Sequence, residues 1–177
     1  MLMSKCGTAT ESAIHSCYPD MPEEMVKFLE KYNGGETPET HFDINGVSTD
    51  IVGFYGIGSV KYSFSSIKGI YIDDEEYLPI AFDSFGNSIA ISMSKGSIVF
   101  IDHEQSSAIK KIADNLTEFI SKVKSNPISP KHTKSVQERE RDLISRGRGQ
   151  IITDELRALW QKEIEKYSNI HQETVVL

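Results

Sequence analysis

Residues 78–102 read LPIAFDSFGNSIAISMSKGSIVFID, and this stretch decides the fold class. It contains three short apolar runs, separated by the turn residues 83–87 and by Lys95-Gly96. In the middle run, Ile89 and Ile91 alternate with small residues, which is the two-residue period of a half-buried strand. Short strands joined by tight turns of Gly, Asn and Asp pair antiparallel. The stretch therefore predicts a three-stranded meander.

Upstream of the meander, apolar residues recur at helical spacing. We predict a helix there that is capped by Asp20, has Pro22 in its first turn and ends at Asn33-Gly34-Gly35. Thr40–Ile44 and Val52–Ile57 are expected to be short strands, the second bent by its glycines. The apolar positions of the helix are Met21, Met25, Phe28, Leu29 and Tyr32.

Downstream, a second apolar stripe predicts a helix from about Ser106 to Val123. Residues 125–135 contain two prolines and read as a linker. Charged helices are then expected around Val136–Ile144 and from near Thr153, where the single tryptophan, Trp160, lies on an apolar stripe. We expect a domain over 1–124, with its core at about 20–124, and a helical C-terminal extension over 125–177.

The charge distribution limits the class of partner. The chain has a net charge of −7, and its first 130 residues have 10 basic and 18 acidic side chains. Phosphate binding needs a basic face, so a nucleic-acid partner is not expected. An acidic body suits a basic protein partner through electrostatic steering. The alternative is that this acidity simply keeps a cytosolic protein soluble.

No segment predicts a membrane span or a secretory signal. The longest apolar runs are far shorter than the roughly 20 residues that a spanning helix needs. The N-terminal residues contain no apolar core of a signal peptide. We therefore expect a cytoplasmic protein without a membrane partner.

Catalytic and metal-binding signatures are missing from the sequence, so no catalytic residue, metal or cofactor is predicted. Asp102-His103-Glu104 could supply a general base or a metal ligand, but capping of the helix expected from Ser106 explains the triplet better. Asp83 belongs to a tight turn, which accounts for an aspartate without a further role. Cys6 and Cys17 are expected to be free thiols, because a disulfide framework needs more cysteines spread through the chain. With His15 they also lack the paired spacing of zinc sites.

Several segments in order resemble the SUKH superfamily, which includes bacterial toxin-immunity proteins and a fungal regulator of cell-wall synthesis. The resemblance spans about residues 20–124 and rests on several motifs, each weak alone, that occur in the right order. It implies an α+β fold: a mostly antiparallel, curved sheet packed by N-terminal and C-terminal helices, here with an extra helical C-terminal tail. The motifs are residues 28–35 (FLEKYNGG), 54–56 (FYG), 78–87 (LPIAFDSFGN), 97–104 (SIVFIDHE) and 113–119 (ADNLTEF).

The resemblance also implies a function. It suggests a non-enzymatic immunity protein that binds and neutralises a cognate protein toxin, a basic nuclease being one candidate. The alternatives are a regulatory or scaffolding module of the same fold, and, less favoured, a hydrolase using His103 with Asp102 or Asp83. The residues leave the oligomeric state open. For the partner contacts we predict an acidic segment and the aromatics beside it, because aromatics and desolvated charges dominate interface energies: Tyr71, Asp73, Asp74, Glu75, Glu76 and Tyr77.

Overall fold

The computed structural model describes residues 1–67, 76–104, 108–168 and 170–177. The chain divides into two compact units, one formed by Met1–Asn126 with Gln172–Leu177 and the other by Pro127–His171. Along the chain, the second unit is therefore an insertion within the first.

The first unit is an α+β domain, as predicted, and its strands pair antiparallel. The helices are α1 (Glu11–Cys17), α2 (Glu23–Lys31) and α3 (Leu116–Lys122), with a 3-10 turn at Phe64–Ile67. The strands are β1 (Leu2–Lys5), β2 (Gly35–Glu36), β3 (Thr40–Ile44), β4 (Val47–Asp50), β5 (Gly53–Phe54), β6 (Tyr77–Phe82), β7 (Ser88–Ser92), β8 (Ile98–Ile101), β9 (Ile109–Ala113), β10 (Lys124–Ser125) and β11 (Glu173–Thr174). Within the described residues, one sheet has eight strands in the order β11-β1-β2-β5-β6-β7-β8-β9, and a smaller sheet has the order β10-β3-β4.

The predicted meander corresponds to β6, β7 and β8. Ile89 and Ile91 face the main core, whereas Ala90 between them belongs to a small apolar cluster with Val99 and Ile101. Because side chains alternate across a strand, this second cluster lies on the opposite face of the sheet. The sheet is thus apolar on both faces at its centre.

The helices α2 and α3 supply aromatic rings to the main core. The Phe28 ring of α2 lies 5.2 Å from that of Phe54, and the Phe119 ring of α3 lies 5.4 Å from that of Phe42. All four rings are buried. The N-terminal and C-terminal helices of the domain therefore both contribute to one core, as the family resemblance implied.

The first predicted helix is confirmed except at its start. It begins at Glu23, and the preceding residue, Pro22, forms no side-chain cap, so the expected Asp20 cap is wrong. Its end is as expected, since Asn33 and Gly34 have the left-handed φ angles of 45° and 78°.

The predicted helix from Ser106 to Val123 is wrong over its first half. Residues 109–113 form β9, which pairs with β8, and the helix begins only at Leu116. The apolar spacing fitted a helical stripe, but the open edge of β8 offers these residues backbone partners. Residues 105–107 lie outside the described part of the chain.

The expected strand Val52–Ile57 is reduced to Gly53–Phe54, because its second half packs against the end of α2. Asn33 bonds the backbone of Ile57 twice, accepting from its N–H at 2.8 Å and donating to its carbonyl at 3.1 Å. A Cβ on Gly56 would lie 2.1 Å from the Asn33 carbonyl oxygen. Glycine is therefore needed there for a close backbone approach.

The second unit consists of α4 (Val136–Ser145) and α5 (Asp154–Ser168), with 3-10 turns at Pro130–Thr133 and Gly149–Ile151. Both predicted tail helices are present, and Ser135 forms a capping box with Glu138 at the start of α4. None of this unit's described residues is fully buried. Its elements are joined by ion pairs such as Arg139–Glu163, at 2.6 Å.

No helix in the described ranges combines the length and apolar character needed to cross a bilayer.

Candidate protein-binding site

The predicted contact segment is described only at its C-terminal end. Tyr71, Asp73, Asp74 and Glu75 lie outside the described residues. Glu76 immediately precedes β6 and Tyr77 begins it, directly opposite Ser92 of β7 in the antiparallel register.

Two hydroxyl groups hold the Glu76 carboxylate. Ser92 Oγ and Ser94 Oγ donate to Glu76 Oε1 at 2.5 and 2.7 Å, while the Glu76 carbonyl accepts from the Met93 N–H at 2.8 Å. These bonds, that from Ser92 first, lower the pKa of Glu76 below its ordinary value. Glu76 therefore presents a fixed negative charge at neutral pH.

Tyr77 is half-buried, because its side chain packs against the outer apolar cluster of Ala90, Val99 and Ile101. Its pairing with Ser92 places it next to the hydroxyl that binds Glu76. The described end of the segment thus combines a charged group and an aromatic ring on an ordered strand.

At the other end of the β6–β7 hairpin, Asp83 organises the turn. Its Oδ1 accepts from the N–H groups of Phe85 and Asn87 at 3.0 and 2.8 Å. Its Oδ2 accepts from Thr49 Oγ1 at 2.8 Å and from Asn87 Nδ2 at 2.7 Å. Asp83 is only 3% exposed, and these four bonds satisfy its buried carboxylate.

His103 is joined to this turn through Asn87. Asn87 Oδ1 accepts from the His103 N–H at 3.1 Å and lies 2.9 Å from the ring Nδ1. Because Asn87 Nδ2 already donates to Asp83, the amide oxygen must face His103, and Nδ1 must carry a proton to donate to it.

The expectation that Asp102-His103-Glu104 caps a helix is wrong, since β9 follows the triplet. Asp102 instead accepts from the Glu104 N–H at 2.9 Å. A covalent mechanism would need a hydroxyl or thiol within hydrogen-bond reach of the imidazole. In the part of the chain that the structure describes, no such group is bonded to His103.

A groove of about 580 Å³, which was not predicted from the sequence, lies beside this turn. Its walls come from β4, the 83–87 turn, the end of β8 and the start of β9, and they include Phe85, Ile109 and Lys110. Phe85 is 70% exposed and Ile109 is 37% exposed. One signal could have revealed Phe85: an aromatic residue inside a five-residue polar turn has no strand or helix face to bury it.

Within the described ranges, no group of three or more His, Cys, Asp or Glu side chains could hold a metal ion. Cys6 and Cys17 are free thiols.

Comparison with known proteins identifies the family. Residues 19–122 match the SMI1 / KNR4 family (SUKH-1). The chain belongs to this family. Over 132 residues it is also 29% identical to the SPbeta prophage-derived uncharacterized protein YokK of Bacillus subtilis (strain 168), covering 61% of this chain and 69% of that protein.

The SUKH-1 region contains α2, the β6–β8 meander and α3, together with Glu76, Tyr77 and Asp83. The residues of the second unit, Pro127–His171, lie outside it. This SUKH-1 protein therefore has an insertion that the family match does not cover.

Proposed function

We propose that the chain is an immunity protein that binds a cognate protein toxin in the cytoplasm and neutralises it without catalysing a reaction. The observation that carries this proposal is the SUKH-1 match over residues 19–122, since such domains are commonly immunity proteins. The acidic first 130 residues suit a basic toxin, for example a nuclease.

We place the toxin contacts on the segment Tyr71, Asp73, Asp74, Glu75, Glu76 and Tyr77. The geometry at Glu76 supports this, because two serine hydroxyls already orient its carboxylate before a partner arrives. A pre-oriented charge loses little side-chain entropy when it pairs with a lysine or arginine.

The function is tested by co-expressing the chain with a toxin candidate encoded beside its gene. Survival that depends on this chain is expected, together with a complex of the two proteins. Continued killing despite a full level of folded protein would contradict neutralisation. A stable non-toxin partner recovered from the native cell would favour a regulatory or scaffolding module.

The contact segment is tested separately, by affinity measurements on the purified complex at low salt. Glu76→Gln should weaken toxin binding by about tenfold or more, because losing one partner of an interfacial charge pair costs roughly 2–5 kcal/mol. Glu23→Gln, on the exposed face of α2, removes the same charge elsewhere and should have little effect.

The variant Phe85→Ala tests which end of the β6–β7 hairpin contacts the toxin. If it abolishes binding while Glu76→Gln does not, the toxin docks at the groove beside Phe85. The assignment to the acidic segment would then be wrong, although the binding function would stand.

A further inference from the structure

The second unit contains a cavity of its own, of about 290 Å³, between its 3-10 turn at 130–133, α4 and α5. Four cationic side chains, one carboxylate, one leucine and the single tryptophan of the chain line it: Lys131, Lys134, Arg139, Asp142, Leu143, Arg146 and Trp160. This cluster is unexpected in a chain whose net charge is −7.

Arg139 and Trp160 form the fixed part of the cavity. The Arg139 guanidinium donates to the carbonyls of Lys131, His132 and Lys134 at 2.9–3.0 Å and to Glu163 Oε2 at 2.6 Å. Its side chain is 11% exposed, and its centre lies 6.0 Å from the centroid of the Trp160 ring. The positive charge of Arg139 is thus paired with Glu163 and lies beside the indole.

Apart from Arg139, the side chains that line the cavity have more positive than negative charges. Lys134 Nζ binds Asp142 Oδ2 at 2.6 Å, and this contact lowers the pKa of Asp142, so the two form a neutral pair at pH 7. Arg146 acts on Asp142 only at longer range. Within the described ranges, the side chains of Lys131 and Arg146 form neither a hydrogen bond nor a close ion pair, which leaves two unpaired positive charges in the lining of the cavity.

Lys131 lies in the 3-10 turn before α4, and Arg146 lies at the C-terminal end of that helix. The Lys131 carbonyl contacts Arg139 near the start of α4, whereas Arg146 follows the last residue of that helix. Seven residues separate Arg139 from Arg146, which corresponds to about 10 Å along a helix. In a polyproline II segment, residues i and i+3 share one face and lie about 9 Å apart. An extended segment with two carboxylates therefore supplies one negative charge for each cation, whereas a single carboxylate supplies only one.

We propose that this cavity binds an extended acidic segment of a protein partner. One carboxylate pairs with Lys131, a second carboxylate three residues away pairs with Arg146, and an apolar side chain between them packs on Trp160. This inference goes beyond the proposed toxin neutralisation and does not depend on it, because it concerns only the inserted unit.

Trp160, as the single tryptophan, reports on the cavity directly. The full chain is titrated with acetyl-Glu-Pro-Leu-Glu-amide at low salt, and the indole fluorescence and the heat of binding are followed. We expect a saturable fluorescence change that weakens with added salt, because screening reduces attraction between exposed charges. The neutral peptide acetyl-Gln-Pro-Leu-Gln-amide should bind at least tenfold more weakly.

The variant Lys131→Gln/Arg146→Gln should bind the acidic peptide at least tenfold more weakly, with an unchanged circular dichroism spectrum. The control Arg148→Gln/Lys162→Gln removes two exposed cations of the same unit that do not line the cavity, and it should bind the acidic peptide as the wild type does.

Three results would overturn the proposal: equal binding of the neutral peptide, no response of the wild-type chain at millimolar peptide, or an equal loss of binding in the control variant. Sodium acetate or phosphate producing the same response at the same concentration would also overturn it, since the cavity would then take simple anions.

Discussion

Asp83 and Glu76 are two carboxylates at opposite ends of one hairpin, and hydrogen bonds give them different tasks. Asp83 is buried and its four acceptor bonds shape the turn that exposes Phe85. Glu76 is half-buried, and two serine hydroxyls hold its carboxylate in place. The first residue is therefore expected to matter for stability and the second for binding.

Replacing Asp83 by Ala should destabilise the first unit by about 2–4 kcal/mol, because buried N–H and O–H donors lose their acceptor. Urea unfolding would measure the change in the free energy of unfolding. Asp114→Ala is the matched control, since that carboxylate is exposed and forms a surface ion pair with Lys111. A loss below about 0.5 kcal/mol would show that the Asp83 network does not hold the turn.

The lowered pKa of Glu76 predicts a pH dependence with a defined sign. Since the folded pKa lies below the ordinary value of 4.5, the stabilising effect of this carboxylate is fully present above pH 4.5. It is lost as the pH falls through the folded pKa. Ser92→Ala should raise the Glu76 pKa toward 4.5, and NMR titration of its carboxyl carbon would measure the shift.

The control for this titration is Ser88→Ala, which removes a hydroxyl from the other end of β7. The Glu76 pKa should be the same in this variant as in the wild type. A wild-type Glu76 that titrates at or above 4.5 would contradict the assigned hydrogen bonds.

At the scale of elements, the segment from β9 to α3 shows where an apolar pattern misleads. The stripe from Ile109 to Val123 satisfies helical spacing, but its first part is a strand and its second part a helix. The boundary between them is an N-cap. Asn115 Oδ1 accepts from the Glu118 N–H at 2.8 Å, and Glu118 in turn accepts from the Asp114 N–H. Asn followed three residues later by Glu is a helix-start signal that the apolar stripe obscured.

Replacing Asn115 by Ala should cost about 1 kcal/mol of stability, the usual value of a lost N-cap. Asn115→Ser keeps a capping oxygen and should cost much less. Thermal unfolding of the two variants would compare them. Equal losses would indicate that Asn115 acts through packing and not through the cap.

At the scale of the whole molecule, the second unit is inserted between β10, which belongs to the smaller sheet, and β11, which belongs to the larger one. Ser125, before the insertion, accepts the Leu2 N–H at 2.9 Å, and Thr174, after it, pairs with the same Leu2 in the β1–β11 register. Both ends of the insertion are therefore adjacent to one residue of β1. Beyond them, the buried Tyr32 bonds Val176 through its hydroxyl, which accepts from the Val176 N–H at 2.9 Å.

Replacing residues 127–171 by an eight-residue Gly/Ser linker, which can span roughly 26 Å, should leave the first unit folded. Deleting residues 172–177 should destabilise it much more, because Tyr32 loses its partners and Met3 its covering strand. Circular dichroism and urea unfolding of the two deletions provide the comparison. An excision variant that fails to fold would show that the first unit depends on the insertion.

The meander and α2 were predictable from the sequence because their signals are local. Tight turns at 83–87 and 95–96 set the hairpins, and the apolar face of α2 ends at residues that tolerate left-handed φ angles. Toxin binding was inferred from the resemblance to a family and remains a proposal. The acidic contact segment also remains a prediction, supported at its described end by the contacts of Glu76 and Tyr77.

Tertiary structure alone decided the features that depend on partners distant in sequence. Ile109–Ala113 becomes a strand because β8 presents an open edge, and the chain's last strand pairs with its first across about 170 residues. The groove beside Phe85 and the cationic cavity around Trp160 each combine segments that are separate along the chain. Turns and helix faces depend on neighbours a few residues away, whereas edge pairing and cavities depend on which distant surfaces the fold brings together.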